Sequence, residues 1–301
     1  MNKKTKLRNL IIAVGSFIVL DLVIGEIATY GIKKFYGLNQ HSEILLMGHS
    51  HLMLATDKEQ MENDLNMQIS KFCREGADVN DRYIMSKMYI ESPYSDQLKY
   101  VLYGVDLCTF TGGGLSENSY KLFYPFIGSD VMENYIRQQA SPSEFALNKV
   151  VNLYRFNDDV TKNAAIRGLR GDWSNKKHNV MDIEAYKQRL KNHDERDIQM
   201  TPELIDMFKK TVELFTKRGV KVILVHTPTL DLLNDYQPKE FSKICKWYED
   251  FAAADTMVDY WDFNPEFSHR HEFFNDRLHV NAEGQKEITK SIGEKFKENE
   301  N

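Results

Sequence analysis

The chain has 301 residues, 42% of them apolar and 28% charged, and a net charge of −5. That balance belongs to a folded globular chain and not to a disordered one. A mildly acidic chain without a basic stripe is excluded as an electrostatic nucleic-acid binder. Three dispersed cysteines, Cys73, Cys108 and Cys245, offer neither a CxxC pair nor zinc-ligand spacing. One disulfide is open to them outside the cytoplasm; three small buried side chains is the simpler expectation.

Lys3, Lys4, Lys6 and Arg8 precede an apolar run from about Leu10 to Tyr30, which Lys33 and Lys34 follow. About 20 helical residues suffice to cross the hydrocarbon of a bilayer. The excess of basic residues before the run predicts a cytoplasmic N-terminus, with the rest of the chain extracytoplasmic at the cell membrane. A cleaved signal peptide with a core at Leu10 to Leu20 is the alternative. No small-x-small cleavage site follows, so a retained anchor is expected over 1–35 and a domain over 36–301. Asp21 and Glu26 interrupt the second half of the run. Charge there belongs at the outer interface or against a membrane partner.

Beyond the anchor, five short apolar or alternating segments read as strands: Glu43 to Met47, Met67 to Cys73, Lys99 to Leu107, Val220 to His226 and Met257 to Phe263. A glycine turn, Gly112 to Gly114, follows the third. Helical patterns fall between strands, at Asp78 to Lys87, Thr201 to Arg218 and Lys239 to Ala253. A last helix, Ala282 to Phe296, has Asn281 placed to cap it. Alternating strands and helices predict an α/β fold with a mostly parallel sheet between helical layers. The stretch at about 115–200 lacks strand signals and reads as a mostly helical insertion.

Two short motifs carry chemistry. Gly48-His49-Ser50-His51 follows the first strand, which puts Ser50 at the carboxyl edge of the sheet, where open α/β folds bind ligands. Asn275-Asp276-Arg277-Leu278-His279-Val280-Asn281 precedes the last helix. From one loop, His279 can act as general base toward Ser50 while Asp276 holds the other ring nitrogen. A serine hydroxyl needs such a base, being a poor nucleophile at neutral pH. Gly-x-Ser early and Asp-x-x-His late, in that order, resemble the SGNH (GDSL-type) hydrolase family over about Glu43 to Lys295. The resemblance implies a flavodoxin-like three-layer sandwich and hydrolysis or transfer of O-acyl esters. It assigns Ser50 as nucleophile, His279 as base and Asp276 as its orienter. Gly76 and the Ser50 backbone then supply oxyanion N–H groups.

Two positions depart from the family pattern. His49 stands where Gly-Asp-Ser has Asp, and His49 and His51 together look like the Gly-x-Ser-His variant of membrane-anchored envelope acyltransferases. Asp106, in Gly104-Val105-Asp106, stands at the oxyanion-hole position where the family has Asn. An ionised Asp106 would repel an oxyanion, so it must be protonated, turned away or assisted by another donor such as Asn118. His49, His51 and His226 are the candidate substrate-pocket residues. His49-x-His51 is also a metal-ligand pattern of barrel amidohydrolases, but five strand signals are too few for that barrel.

Other features have plain structural readings beside functional ones. Arg167 to Trp173 is a glycan-binding or surface loop, His269 and His271 line the same pocket or a solvated loop, and Trp247 and Trp261 are core. The combined expectation is a membrane-anchored serine O-acyltransferase or esterase acting on acyl esters of cell-envelope glycans, with no cofactor and no metal. The alternative is a catalytically silent scaffold on the same fold. The resemblance also implies a membrane-bound O-acyltransferase partner.

Overall fold

A computed structural model describes residues 2–111, 119–193 and 195–300. The Gly112–Gly114 turn and Asn118 lie outside the described residues. Five strands form one sheet: β1 (Ile44–Gly48), β2 (Ile69–Cys73), β3 (Tyr100–Val105), β4 (Lys221–His226) and β5 (Val258–Asp262), in the order β2-β1-β3-β4-β5 with every pairing parallel. The helices are α1 (Lys3–Tyr36), α2 (Ser50–Ala55), α3 (Lys58–Leu65), α4 (Val79–Glu91), α5 (Asp130–Gln139), α6 (Pro142–Val150), α7 (Asp159–Arg170), α8 (Ile183–Lys191), α9 (Pro202–Thr216), α10 (Asp231–Asn234), α11 (Pro238–Ala253), α12 (Asn264–Phe267) and α13 (Ala282–Glu300). The α/β class and the parallel sheet read from the sequence are those observed.

Every residue of β1 and β2 is buried, as a parallel sheet covered on both faces requires. Alternation along the strands divides the core. Ile44, Leu46, Leu102, Ile223 and Trp261 turn to one face, where they cluster with Leu52, Met61, Ile288 and Ile292 of α2, α3 and α13. Tyr103 turns to the other face, against Phe208 of α9. Trp261 is core, and Trp247 stacks on Phe251 within an aromatic group that includes Phe110, Phe208 and Tyr248.

Two glycines let α2 press onto the sheet. A Cβ at Gly104 would come within 2.8 Å of the Leu52 Cβ, and one at Gly48 within 3.1 Å. The start of α2 therefore sits close above the ends of β1 and β3. All three cysteines are free thiols.

The chain divides into two compact units: Met1–Phe35 with Tyr120–Asp172, and Tyr36–Ser119 with Trp173–Asn301. The sheet belongs to the second. In the first, helices α5, α6 and α7 and the 3₁₀ turns Ser119–Phe126 and Asn152–Phe156 make up most of the residues outside α1. The α8 helix belongs to the second unit. The segment Arg167 to Asp172 ends α7, where Gly171 caps it at φ +69° and the Arg167 Nε–H donates to the Asp172 carbonyl.

Helix α1 has one apolar stretch long enough to cross a membrane, and only 11% of that window is buried within the protein. Asp21 is one of the buried residues on this helix. Its carboxylate accepts the backbone N–H groups of Asn152 and Leu153 and the Asn152 side-chain amide, each at 2.9 Å. The chain itself thus satisfies Asp21. Glu26 is exposed.

Gly104→Ala is expected to overpack the Leu52 contact and lower stability by about 1–3 kcal/mol. Denaturant unfolding of the purified protein measures this, and an unchanged midpoint would show that α2 does not bear on Gly104.

Candidate active site

The strand order reverses between β1 and β3, and in open α/β sheets the crevice at that switch point receives ligands. Ser50 follows β1 and Asp106 follows β3, so both flank it. His49 is the N-cap of α2: its Nδ1 accepts the His51 N–H at 3.1 Å. That makes Ser50 the first residue of the helix, where its N–H has no acceptor within the helix.

Ser50 Oγ lies 2.8 Å from His279 Nε2. His279 Nδ1 lies 2.9 and 3.0 Å from the two oxygens of Asp276. With a proton on Nδ1 facing the carboxylate, Nε2 is left to accept the Ser50 O–H. The loop that carries the pair is closed tightly. Phe274 and Val280 bridge antiparallel, and the Asn275 N–H donates to the His279 carbonyl at 2.9 Å. Asp276 Oδ1 also accepts the N–H groups of Leu278 and His279. Burial would raise the Asp276 pKa, but the hydrogen bonds and charge of His279 and these two N–H groups outweigh it and hold the carboxyl well below its usual range. Asn281 Oδ1 accepts the Gly284 N–H and so caps α13, as its position suggested.

Asp106 is almost wholly buried and bound on both oxygens. Oδ2 lies 2.6 Å from His49 Nε2 and 2.9 Å from His51 Nδ1. Oδ1 accepts the Cys108 N–H at 2.6 Å and the Thr109 hydroxyl at 3.3 Å. Burial opposes ionisation, yet the two imidazoles hold the Asp106 pKa well below the usual carboxylate value. Burial pulls His49 down to about 4 against the pull of Asp106. Because His49 Nδ1 is an acceptor, its proton sits on Nε2 and points at Asp106. Both oxygens of Asp106 are thus engaged by groups of the chain itself. The carboxylate is an ionised acceptor that fixes His49 and His51 on either side of Ser50, and it has no proton to donate to an oxyanion.

Gly76 sits in the turn after β2 at φ +71°, a conformation that favours glycine. The Arg74 N–H donates to the Gly48 carbonyl at 3.0 Å, which fastens this turn beside the end of β1. The ring of His51 meets that of His279 edge to face, with centroids 5.0 Å apart.

A cavity of about 330 Å³ opens beside these residues. His49, His51, Asp106 and Leu278 line it, together with Asp78, Asn80, Arg82, Glu195, Arg196, Glu203 and Arg277. The sequence pointed to the two histidines but not to the charged wall. Only Arg277 had a signal, through its place in the Asp-x-x-His loop; the others come from α4 and its N-cap, from the segment before α9 and from the first turn of α9. His226 is not among the residues that line this cavity. It is fully buried, its Nδ1 is 2.8 Å from the Tyr260 hydroxyl, and burial lowers its pKa. Among the described residues, His269 and His271 do not line the cavity either; His271 pairs with Asp231 at 2.8 Å.

Among the described residues, two groups of side chains have ligand-type atoms close together: His49, His51 and Asp106, and His226, Cys245 and Asp262. In the first, His49 Nε2 lies 2.6 Å and His51 Nδ1 2.9 Å from the Asp106 carboxylate, so both rings meet it directly.

No protein-family model and no curated protein matches the chain. Among solved structures it is similar to the lipase Lip_vut3 from a goat rumen metagenome, at 14% identity and a TM-score of 0.40, covering 83% of this chain and 94% of that one. It is also similar to a protein from Streptococcus pneumonia described provisionally as a platelet activating factor, at 10% identity and a TM-score of 0.39, covering 95% and 98%. Likeness of that degree does not bear on what this chain does.

Asp106→Asn tests whether Asp106 clamps the histidines or merely stands in for an oxyanion donor. The clamp predicts a loss of about 1–3 kcal/mol, because both carboxylate oxygens serve as acceptors and an amide replaces one of them with an N–H donor. The folded pKa of Asp106 lies below 3.8, so its contribution is complete above about pH 4 and is lost as pH falls below that. The gap between the two proteins should therefore narrow in acid. Urea unfolding at pH 7 and pH 3 reads both effects, and equal stability at pH 7 would remove the clamp.

Proposed function

We propose that this chain is a membrane-anchored serine O-acyltransferase or esterase of the SGNH type, acting on acyl esters of cell-envelope glycans. The observation that carries the reading is the Ser50 Oγ to His279 Nε2 contact of 2.8 Å, with Asp276 on the far side of the ring. Nucleophile, base and orienter stand in hydrogen-bond reach in that order. The adjoining cavity has His51 and Leu278, chain neighbours of Ser50 and His279, in its wall, which supports it as the place where a substrate sits.

In the mechanism, Ser50 Oγ attacks the ester carbonyl while its proton passes to His279 Nε2. The tetrahedral oxyanion is received by the N–H groups of Ser50 and Gly76. As the intermediate collapses, the C–O bond to the leaving alcohol breaks and His279 returns the proton to that oxygen. The acyl group is then an ester of Ser50. Water or an acceptor hydroxyl, deprotonated by His279, attacks it and releases Ser50. Water makes the protein an esterase; a glycan hydroxyl makes it a transferase. The basic residues at the start of α1, ahead of its apolar run, support a cytoplasmic N-terminus and an extracytoplasmic sheet domain, where a membrane-bound O-acyltransferase could supply acyl groups.

A fluorophosphonate probe is expected to label the wild-type protein and not Ser50→Ala. Asp276→Asn should lower acyl turnover by about 10³–10⁴-fold, the order seen when the carboxylate of such a triad is neutralised. Equal labelling of wild type and Ser50→Ala would reject Ser50 as nucleophile. In a deletion strain, a fall in the acyl content of envelope glycans supports transfer and a rise supports de-esterification. No change, together with no labelling, returns the silent scaffold.

A further inference from the structure

Among the described residues, every strongly exposed large apolar side chain except Val180 lies on α1 or on the helices packed with it in the first unit. Beyond α1 these are Leu147, Val150, Tyr154, Ile166 and Leu169, from 41% to 75% exposed. A soluble surface scatters such residues; a concentration of them on one unit marks an interaction face.

The contacts to α1 set where this face lies. Asp21 receives its three N–H donors from Asn152 and Leu153. Further along α1, Gly25 is pressed against the Asn152 side chain, and Gly31 against the Ala165 carbonyl and Gly168. The Asn152–Phe156 turn and α7 therefore follow α1 from Asp21 to Gly31, about 15 Å at the helical rise, and α6 joins them through the Asn148 carbonyl, which accepts the Arg155 Nε–H. That is the second half of the apolar run, the half nearest the point where the chain leaves a membrane. A carboxylate at such a depth is costly unless bonded, and the insertion supplies its donors.

We infer that α6, the Asn152–Phe156 turn and α7 are seated in the lipid bilayer at the headgroup–acyl boundary, beside α1, in the leaflet where α1 emerges. The inference rests on the reading of α1 as a membrane span. Lipid is the occupant because the face continues the apolar surface of α1 and has the chemistry of an interfacial helix. Aliphatic tips project from it, Tyr154 is exposed among them, and Arg170 is exposed nearby to meet anionic headgroups, as are Lys149 and Lys162, which pair with Glu133 and Asp159. Exposed Glu26, Asp159 and Lys162 place the unit at this boundary and not within the hydrocarbon. The unit would thus fix the depth and tilt of the anchor, which a single helix does not do by itself.

Tryptophan quenching tests this in the full-length protein reconstituted into phosphatidylcholine liposomes with and without brominated acyl chains. Val14→Trp reports the span, and Val150→Trp and Leu169→Trp report the proposed face, each read as the difference from wild type. The expected result is a loss of the added emission at all three positions in brominated lipid. Loss at position 14 alone overturns the docking while leaving the span intact. No loss at any position overturns the span and the docking with it. Shielding of positions 150 and 169 from a soluble quencher only in native membranes, and not in liposomes, would give the face to a protein and overturn the assignment to lipid.

Discussion

The buried carboxylate of Asp106, held between His49 and His51, is the contact on which the site depends. It ties the end of β3 to the two residues flanking Ser50, across the crevice where the strand order reverses. An ion taken out of water is costly unless both oxygens find donors, and here four groups meet them. Ser50 is therefore positioned by its neighbours on either side and needs no long loop to hold it. The glycines at 48 and 104 serve the same end by letting Leu52 settle onto the sheet.

The base pair is held by a different device. Asp276 gathers N–H groups from Leu278 and His279 as well as the imidazole, and the bridge between Phe274 and Val280 closes the loop behind them. The carboxylate thus shapes its own loop while it orients the ring. The two halves of the site come from residues 229 apart in sequence, joined at 2.8 Å. One sits just after the first strand, at the start of α2, and the other just before the last helix, so the hydroxyl and the imidazole meet only when the sheet is complete.

The first unit follows a separate logic. Asp21, a charge within an apolar helix, is matched by backbone donors of a segment about 130 residues later. Close glycine contacts at 25 and 31 carry the same pairing toward the end of α1. Polar satisfaction and small-residue packing are the two forces that operate between helices when lipid removes the hydrophobic drive.

Much of this was legible in the sequence. The five strands were visible because buried parallel strands are short, apolar and bounded by turns, and the parallel class followed from the helices between them. Ser50, Asp276 and His279 stood out by residue type and order, and Asn281 by its place before a helix. The sequence marked Asp106 as a departure but left its role open, because the direction of a carboxylate depends on which imidazoles the fold brings to it. His226 looked like a pocket residue from its place at a strand end, whereas its ring is sealed within the aromatic layer. The charged wall of the cavity and the donors of Asp21 had no local pattern at all. By itself the sequence determined the periodicities and the reactive residue types, which are local properties of the chain. Only the tertiary structure decided partners, burial and protonation, because those depend on contacts between residues that the chain holds far apart.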